Sequence, residues 1–162
     1  SARGDTVLYG TRLPVLEYAQ ERATLTGAEA SVEWAATERL VLGLLGDYLH
    51  AARAGGEPLS YMPPPRLGAS ARWEGKTFSA GGDLHHELAQ RRVGEAGELP
   101  TPAHTILRLH AGVSFQSGGH VHSITVRGEN LGNEVHREAT SRIKEFAPGP
   151  GRNISIGYRL FY

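Results

Sequence analysis

The chain has no cysteine and only one methionine among its 162 residues. The lack of cysteine excludes a disulfide framework and a thiolate metal site. Neither positive nor negative charge is in excess, because the chain has 17 basic and 17 acidic residues. Bulk charge therefore gives no reason to expect nucleic acid or an anionic surface as a partner.

Long apolar segments are also missing. No stretch of 18 apolar residues occurs, so the sequence predicts no transmembrane helix. No charged segment followed by an apolar one opens the chain, and we therefore expect a mature protein or a truncated piece. The mean hydropathy is negative, which usually indicates a soluble protein. That inference does not hold for transmembrane β-barrels, because every second residue of a barrel strand faces a polar lumen.

The chain does have segments in which apolar and polar residues alternate, and this alternation is clearest in residues 151–162. Every second side chain from 154 to 162 is apolar, with serine, glycine and arginine among those between them. Successive side chains of a strand point to opposite faces, so this segment predicts a strand with one apolar and one polar face. It ends on an aromatic residue.

The same pattern predicts seven further strands. They lie near 12–20 and at 23–34, 39–51, 66–73, 77–88, 104–115 and 119–130. Pro14 marks the first as an edge strand or a frayed beginning. From residue 23 onward the apolar faces carry no Lys, Arg, Asp or Glu. Segment 39–51 has apolar residues on both faces, so a buried helix is an open alternative there.

The predicted connections alternate in length. Short turns lie at 35–38, 74–76 and 116–118, and long loops at 53–65, 89–103 and 131–150. We expect Gly75 and Gly118 to supply the positive φ of tight hairpins. Short turns on one rim and long loops on the other are typical of outer-membrane barrels, whose long loops face outward. Charged side chains of the long loops are expected to be solvated. They include Arg91, Arg92, Arg137, Arg142 and Lys144.

Aromatic side chains are predicted at the short-turn rim, on the apolar faces. They are Trp34, Trp73, Phe78, Phe115 and Tyr162. A membrane-interface girdle explains them, because amphipathic rings settle at headgroup level. A soluble β-sandwich is the alternative, although it has no need for aromatics on one rim. We therefore predict an all-β, antiparallel transmembrane β-barrel segment of about eight strands, in contact with outer-membrane lipid.

Several short motifs resemble those of TonB-dependent outer-membrane receptors. They are Asn130-Leu131-Gly132-Asn133 after the penultimate strand, Gly151-Arg152 before the last one, Tyr18-Ala19-Gln20 and Gly27-Ala28-Glu29 near the start, and the proline-rich strand entries 62–68 and 99–104. Gln20 departs from the usual Asn, and Val135-His136 stands where Tyr is commoner. The resemblance implies that residues 1–162 form the C-terminal part of a 22-stranded barrel, without the plug domain and its TonB box.

The resemblance also implies a function. The whole protein would be a receptor and transporter in the bacterial outer membrane, coupled to the TonB system through the plug. Its ligand would be a scarce nutrient, such as a siderophore or another metal complex, or zinc. The alternative is a self-contained eight-stranded barrel with a structural or adhesive role. We expect no enzymatic activity, because no G-x-S-x-G, H-E-x-x-H or phosphate-binding glycine loop occurs.

Eight histidines suggest a metal site on the polar face. The candidate ligands are Asp83, His85, Glu87, His104 and His110. Imidazoles beside carboxylates suit Zn²⁺ or a similar borderline ion, and the pattern, with His136 in the last long loop, resembles the zinc-receptor subgroup. The alternative is that these groups form ordinary hydrogen bonds in a polar lumen. No resident cofactor is expected, because a zinc ion or an iron complex would be cargo. His120 and His122 are expected at the short-turn interface.

Overall fold

A computed structural model describes residues 2–16, 20–94 and 98–162, and these residues form nine β-strands. The strands are β1 (Ala2–Leu8), β2 (Thr11–Leu16), β3 (Ala23–Ala35), β4 (Leu40–Arg53), β5 (Arg66–Glu74), β6 (Phe78–Glu87), β7 (His104–Ser117), β8 (His120–Glu129) and β9 (Asn153–Phe161). All pairings are antiparallel, so the all-β antiparallel prediction is confirmed. The described part of the chain contains no helix that is long and apolar enough to cross a membrane.

Strands β3 to β9 form one seven-stranded sheet in chain order. Each strand pairs with the next through a short turn or a long loop, as predicted. The two edge strands, β3 and β9, do not pair with each other in the described part of the chain. The sheet is therefore open, with seven strands where the sequence predicted about eight.

The N-terminal hairpin differs from the prediction. Strand β2 covers only the first part of the predicted strand 12–20, and residues 17–19 lie outside the described residues. Its partner is β1, which the alternation did not predict, and not β3. The two strands are joined at Tyr9 and Gly10, both with positive φ, 49° and 82°. A two-residue turn of this kind needs positive φ at both positions, and a tyrosine there gives no turn signal in the sequence.

The register gives the sheet one apolar and one polar face. Residues directly opposite each other share a face. Val32 faces Leu44 across β3 and β4, whereas Ser70 faces Asp83 across β5 and β6. The predicted alternation is confirmed from β3 to β9. Segment 39–51 belongs to strand β4, so the buried-helix alternative is wrong.

The apolar face has no covering layer. Leu44 is 65% exposed and Ile156 is 75% exposed, while the buried apolar side chains among the described residues are Ala51, Pro64 and Ala139. A β-sandwich would bury this face against a second sheet. The two-stranded sheet of β1 and β2 does not pack on strands β3 to β9 within residues 2–16, 20–94 and 98–162.

Glycines in two of the short turns have different roles. Gly118 and Gly119 join β7 to β8 with φ of 59° and 81°, as a tight hairpin requires. Gly75, between β5 and β6, is not among the positive-φ glycines. A Cβ on Gly75 would lie 2.6 Å from the ring of Trp73. The predicted reason for Gly75 is therefore wrong, since this glycine makes room for an aromatic ring.

Replacing Gly119 with alanine tests the hairpin requirement. A Cβ at Gly119 would meet no atom within 4 Å, so the cost comes from the left-handed backbone, about 1–2 kcal/mol of unfolding free energy. Urea titration of the intact protein in lipid vesicles measures it. Gly157→Ala is the matched control, because this position is equally open but has no positive φ. Equal effects of the two substitutions would contradict the prediction.

Candidate functional site

The polar face carries a series of paired charges. Arg66 Nε donates to Asp47 Oδ2 over 3.0 Å, and Arg108 Nε donates to Asp83 Oδ2 over 2.9 Å. His85 Nε2 lies 3.1 Å from the same Asp83 oxygen. These side chains are partly exposed, so each pair contributes at most about 1 kcal/mol. Their main effect is to neutralise the carboxylates of Asp47 and Asp83.

The five predicted metal ligands do not lie in one cluster. Asp83 and His85 are neighbours, and Glu87 lies directly opposite His104 in the register of β6 and β7. His110 is six residues from His104 along β7, which is about 20 Å at the rise of an extended strand. Among the described residues, no three His, Asp or Glu side chains are placed to hold a metal ion. The assignment of these residues as ligands stays a prediction.

A cleft of about 270 Å³ lies at the loop end of the polar face. Glu87 and His104 line it from the sheet, and His136 and Glu138 line it from the last long loop. The rings of His104 and His136 lie side by side, with centroids 5.0 Å apart. The sequence placed His136 in that loop but could not bring it to His104, because the path of a 20-residue loop is not encoded in a periodic pattern.

The long loops share a buried polar centre. Lys144 Nζ donates to Gln90 Oε1 over 2.8 Å and to Glu98 Oε1 over 3.0 Å. Glu98 also accepts the backbone N–H of Tyr61 and of Gly94. One carboxylate thus joins all three long loops. The expectation that Lys144 is solvated is wrong, since its side chain is 3% exposed.

The motif Asn130-Leu131-Gly132-Asn133 closes the last long loop. Asn130 has a positive φ of 47°, and its side-chain amide donates to the carbonyls of Glu134 and Pro150. Asn133 Oδ1 accepts the N–H of Arg152 over 3.0 Å. Asparagine tolerates the left-handed conformation and bonds locally to backbone. The motif therefore holds the two ends of this loop together, next to the start of β9.

Burial and hydrogen bonding act in opposite directions on the pKa of Glu98. Burial by itself would raise this pKa, but the hydrogen bonds from Lys144, Gly94, Tyr61 and Gln90 outweigh it, so the pKa is lowered. A carboxyl group with a lowered pKa stabilises the folded state fully above its ordinary pKa, about 4.3. That stability is lost as the pH falls through the lowered value.

Acidification should therefore loosen the loop centre. We expect amide hydrogen exchange in segment 139–149, corrected for the intrinsic rate, to be slow at pH 6 and to rise as the pH falls below about 4. Glu98→Gln should weaken protection at pH 6 and remove most of this pH dependence. Wild-type protection that stays constant down to pH 3 would contradict the prediction.

The predicted aromatic girdle lies at one end of the sheet. Trp34 and Trp73 are near the ends of β3 and β5, Phe78 begins β6, and Tyr162 follows β9. With Phe115, all are exposed on the short-turn side and do not meet in an interior. The ring of Phe115 stacks on His122 at 5.1 Å. Contact of this ring of aromatics with a membrane interface stays a prediction.

Comparison with known proteins gives a likeness of fold. No protein-family model matches the chain, and no curated protein matches it. Among solved structures, the protein named copper transporter OprC matches with a TM-score of 0.71 and 18% identity. The match covers 86% of this chain but only 23% of that one, so the chain spans less than a quarter of that protein's length. The chain shares the fold of that part of the transporter.

Proposed function

We propose that this chain is the C-terminal part of the barrel of an outer-membrane transporter of the TonB-dependent receptor type, which takes up a metal ion or a small metal complex. Its plug domain, its TonB box and its further strands would lie outside residues 1–162. The chain would supply one wall of the barrel and part of the outer entrance. No catalytic step belongs to this function.

The uncovered apolar face is the observation that carries the proposal. It extends over seven strands, and exposed Leu44, Leu84 and Ile156 lie on it. Water would oppose such an exposed face, which is far larger than a soluble monomer usually tolerates. Hydrocarbon outside and a polar lumen inside would account for both faces of the same sheet.

The open edges favour a part of a larger barrel over a self-contained one. A closed eight-stranded barrel needs its first and last strands to pair. In the described part of the chain β9 has one partner, β8, and β3 has one partner, β4. Further strands of the same protein would satisfy the free backbone groups of both edges. The match in fold covers only 23% of a much longer transporter chain. It therefore also supports a part of a larger barrel.

Metal cargo is supported by two separate observations. The fold is shared with a protein named as a copper transporter. The outer end of the polar face also collects imidazole and carboxylate groups in one cleft. Nothing in these observations favours zinc over another borderline metal.

Cells that produce the full-length protein provide the test. We expect the protein in the outer-membrane fraction, resistant to extraction by urea and carbonate. We also expect accumulation of labelled zinc or copper that exceeds that of a deletion strain and falls to the deletion level when a proton uncoupler is added. Release of the protein by carbonate would contradict the membrane assignment. Equal metal accumulation in the two strains would contradict the transport assignment.

A further inference from the structure

The cleft at the outer end of the polar face brings together two imidazoles and two carboxylates. His104 begins β7 and faces Glu87, the last residue of β6. His136 and Glu138 reach the same cleft from the last long loop. His104 and His136 are only 7% and 9% exposed. They are therefore not ordinary lumenal residues in contact with water.

His104 has an unexplained polar atom. Its Nδ1 is buried and has no hydrogen-bond partner among the described residues. The backbone carbonyl of Pro102 acts on the ring as a hydrogen-bond acceptor, but its geometry does not satisfy a full hydrogen bond to that nitrogen. An unpaired buried polar group is unfavourable, and an ion at the site is one of the explanations for such a group in a native structure.

The charges of the cleft suit a divalent cation. Glu138 lies close enough for its charge to act on both Glu87 and His104. The two carboxylates contribute a charge of −2. Arg66 and Arg108 also line the cleft, but the guanidinium of Arg66 is held by both oxygens of Asp47 and that of Arg108 by Asp83. Because Asp83 is already neutralised by Arg108, the pair Asp83 and His85 is a poorer site.

We propose that His104, His136, Glu87 and Glu138 bind one divalent metal ion of borderline softness, such as Zn²⁺, Ni²⁺ or Cu²⁺. This inference rests on the proposed function and identifies where the cargo first binds. Nitrogen and carboxylate ligands at about 2.0–2.2 Å suit these ions. The described residues offer no thiolate, which disfavours a soft monovalent ion.

No three of these groups are close enough at present to hold an ion, as judged over the described residues. Rearrangement of these side chains would therefore be needed to complete the coordination.

Titration of the purified full-length protein in detergent with Co²⁺ and Zn²⁺ tests the site. We expect one ion per protein in this cleft, with the visible absorption bands of tetrahedral Co²⁺. His104→Asn and His136→Asn should each weaken binding at least about tenfold, since even outer-shell partners of metal ligands contribute that much. His120→Asn, an exposed histidine at the opposite rim, is the matched control and should bind as wild type. Unchanged affinity in the double variant that carries both His104→Asn and His136→Asn would overturn the proposal.

A second measurement needs no substitution, and so does not depend on how the variants fold. Oxidation of the wild-type protein by Cu²⁺ and ascorbate modifies residues that bind the ion, and mass spectrometry locates them. We expect oxidation at His104 and His136 well above that at His120 and His122. Oxidation that is no higher at the two cleft histidines than at the other two would overturn the site.

The outcomes for the site and for the transport function can be told apart. A double variant that binds metal as tightly as wild type refutes the site, while uptake by cells with the wild-type protein still supports transport. Wild-type protein that binds Co²⁺ through His104 and His136 but gives cells no extra metal supports the site and refutes transport.

Discussion

Replacement of Lys144 with methionine should lower the stability of the three long loops by about 3–5 kcal/mol, because it leaves a buried carboxylate without its cation. Glu98 is fully buried in its side chain. Its remaining partners are backbone N–H groups and the amide of Gln90, which are neutral. We therefore expect the loop centre to open while the strands stay paired.

Hydrogen exchange of the intact protein in detergent measures this effect. Protection of segments 98–101 and 139–149 should fall by two orders of magnitude or more in Lys144→Met, in line with the expected 3–5 kcal/mol. Protection of β5 to β8 should stay the same. Lys76→Met is the matched control, because Lys76 lies exposed in a short turn at the other rim and should have no effect.

The double variant Lys144→Met with Glu98→Gln separates charge from packing. Removal of both charges leaves no unpaired ion, and neutral replacement of a buried pair often costs little. We therefore expect protection to return at least halfway to the wild-type value. A double variant as unstable as Lys144→Met would show that packing of the lysine stem, and not its charge, holds the loops.

The sheet could be predicted from the sequence because one of its faces is apolar and the other is polar. From β3 to β9 each strand alternates, and the predicted bounds differ from the observed ones by at most two residues. The sequence predicted the turns less well than the strands, because a turn depends on the backbone conformation of single residues. Tyr9 turns with positive φ although tyrosine is not a turn residue, so β1 was missed. Gly75 was assigned a conformational role, but its role is to leave room for Trp73.

The candidate site was only partly predictable. The cross-strand pair of Glu87 and His104 follows from alternation once the register is known. The positions of His136 and Glu138 depend on the fold of a long loop, and the loop sequence has no periodic pattern from which these positions could be predicted. The burial of Lys144 could not be predicted either, because a lysine in a charged loop is usually solvated. Only its contacts with Gln90 and Glu98 reveal that it is buried.

Substitution of arginine for Ala69 should destabilise the membrane-embedded protein by about 2–4 kcal/mol, because the charge would face hydrocarbon near the middle of the bilayer. Ala69 lies midway along β5, opposite Leu44 and Leu84, on the exposed apolar face. The free energy of unfolding of the full-length protein in phospholipid vesicles, measured by urea titration, gives the effect.

Ser70→Arg is the matched control, since this neighbour is of similar size but points to the polar face. It lies opposite Asp83, so an arginine there meets water and a carboxylate, and we expect a change of less than about 1 kcal/mol, the usual size for exposed charges. The two substitutions add the same charge to adjacent residues of one strand and differ only in the face that receives it. A large difference between them therefore measures the solvent on each side of the sheet. Equal effects would mean that both faces meet water, and the outer-membrane assignment would then be wrong.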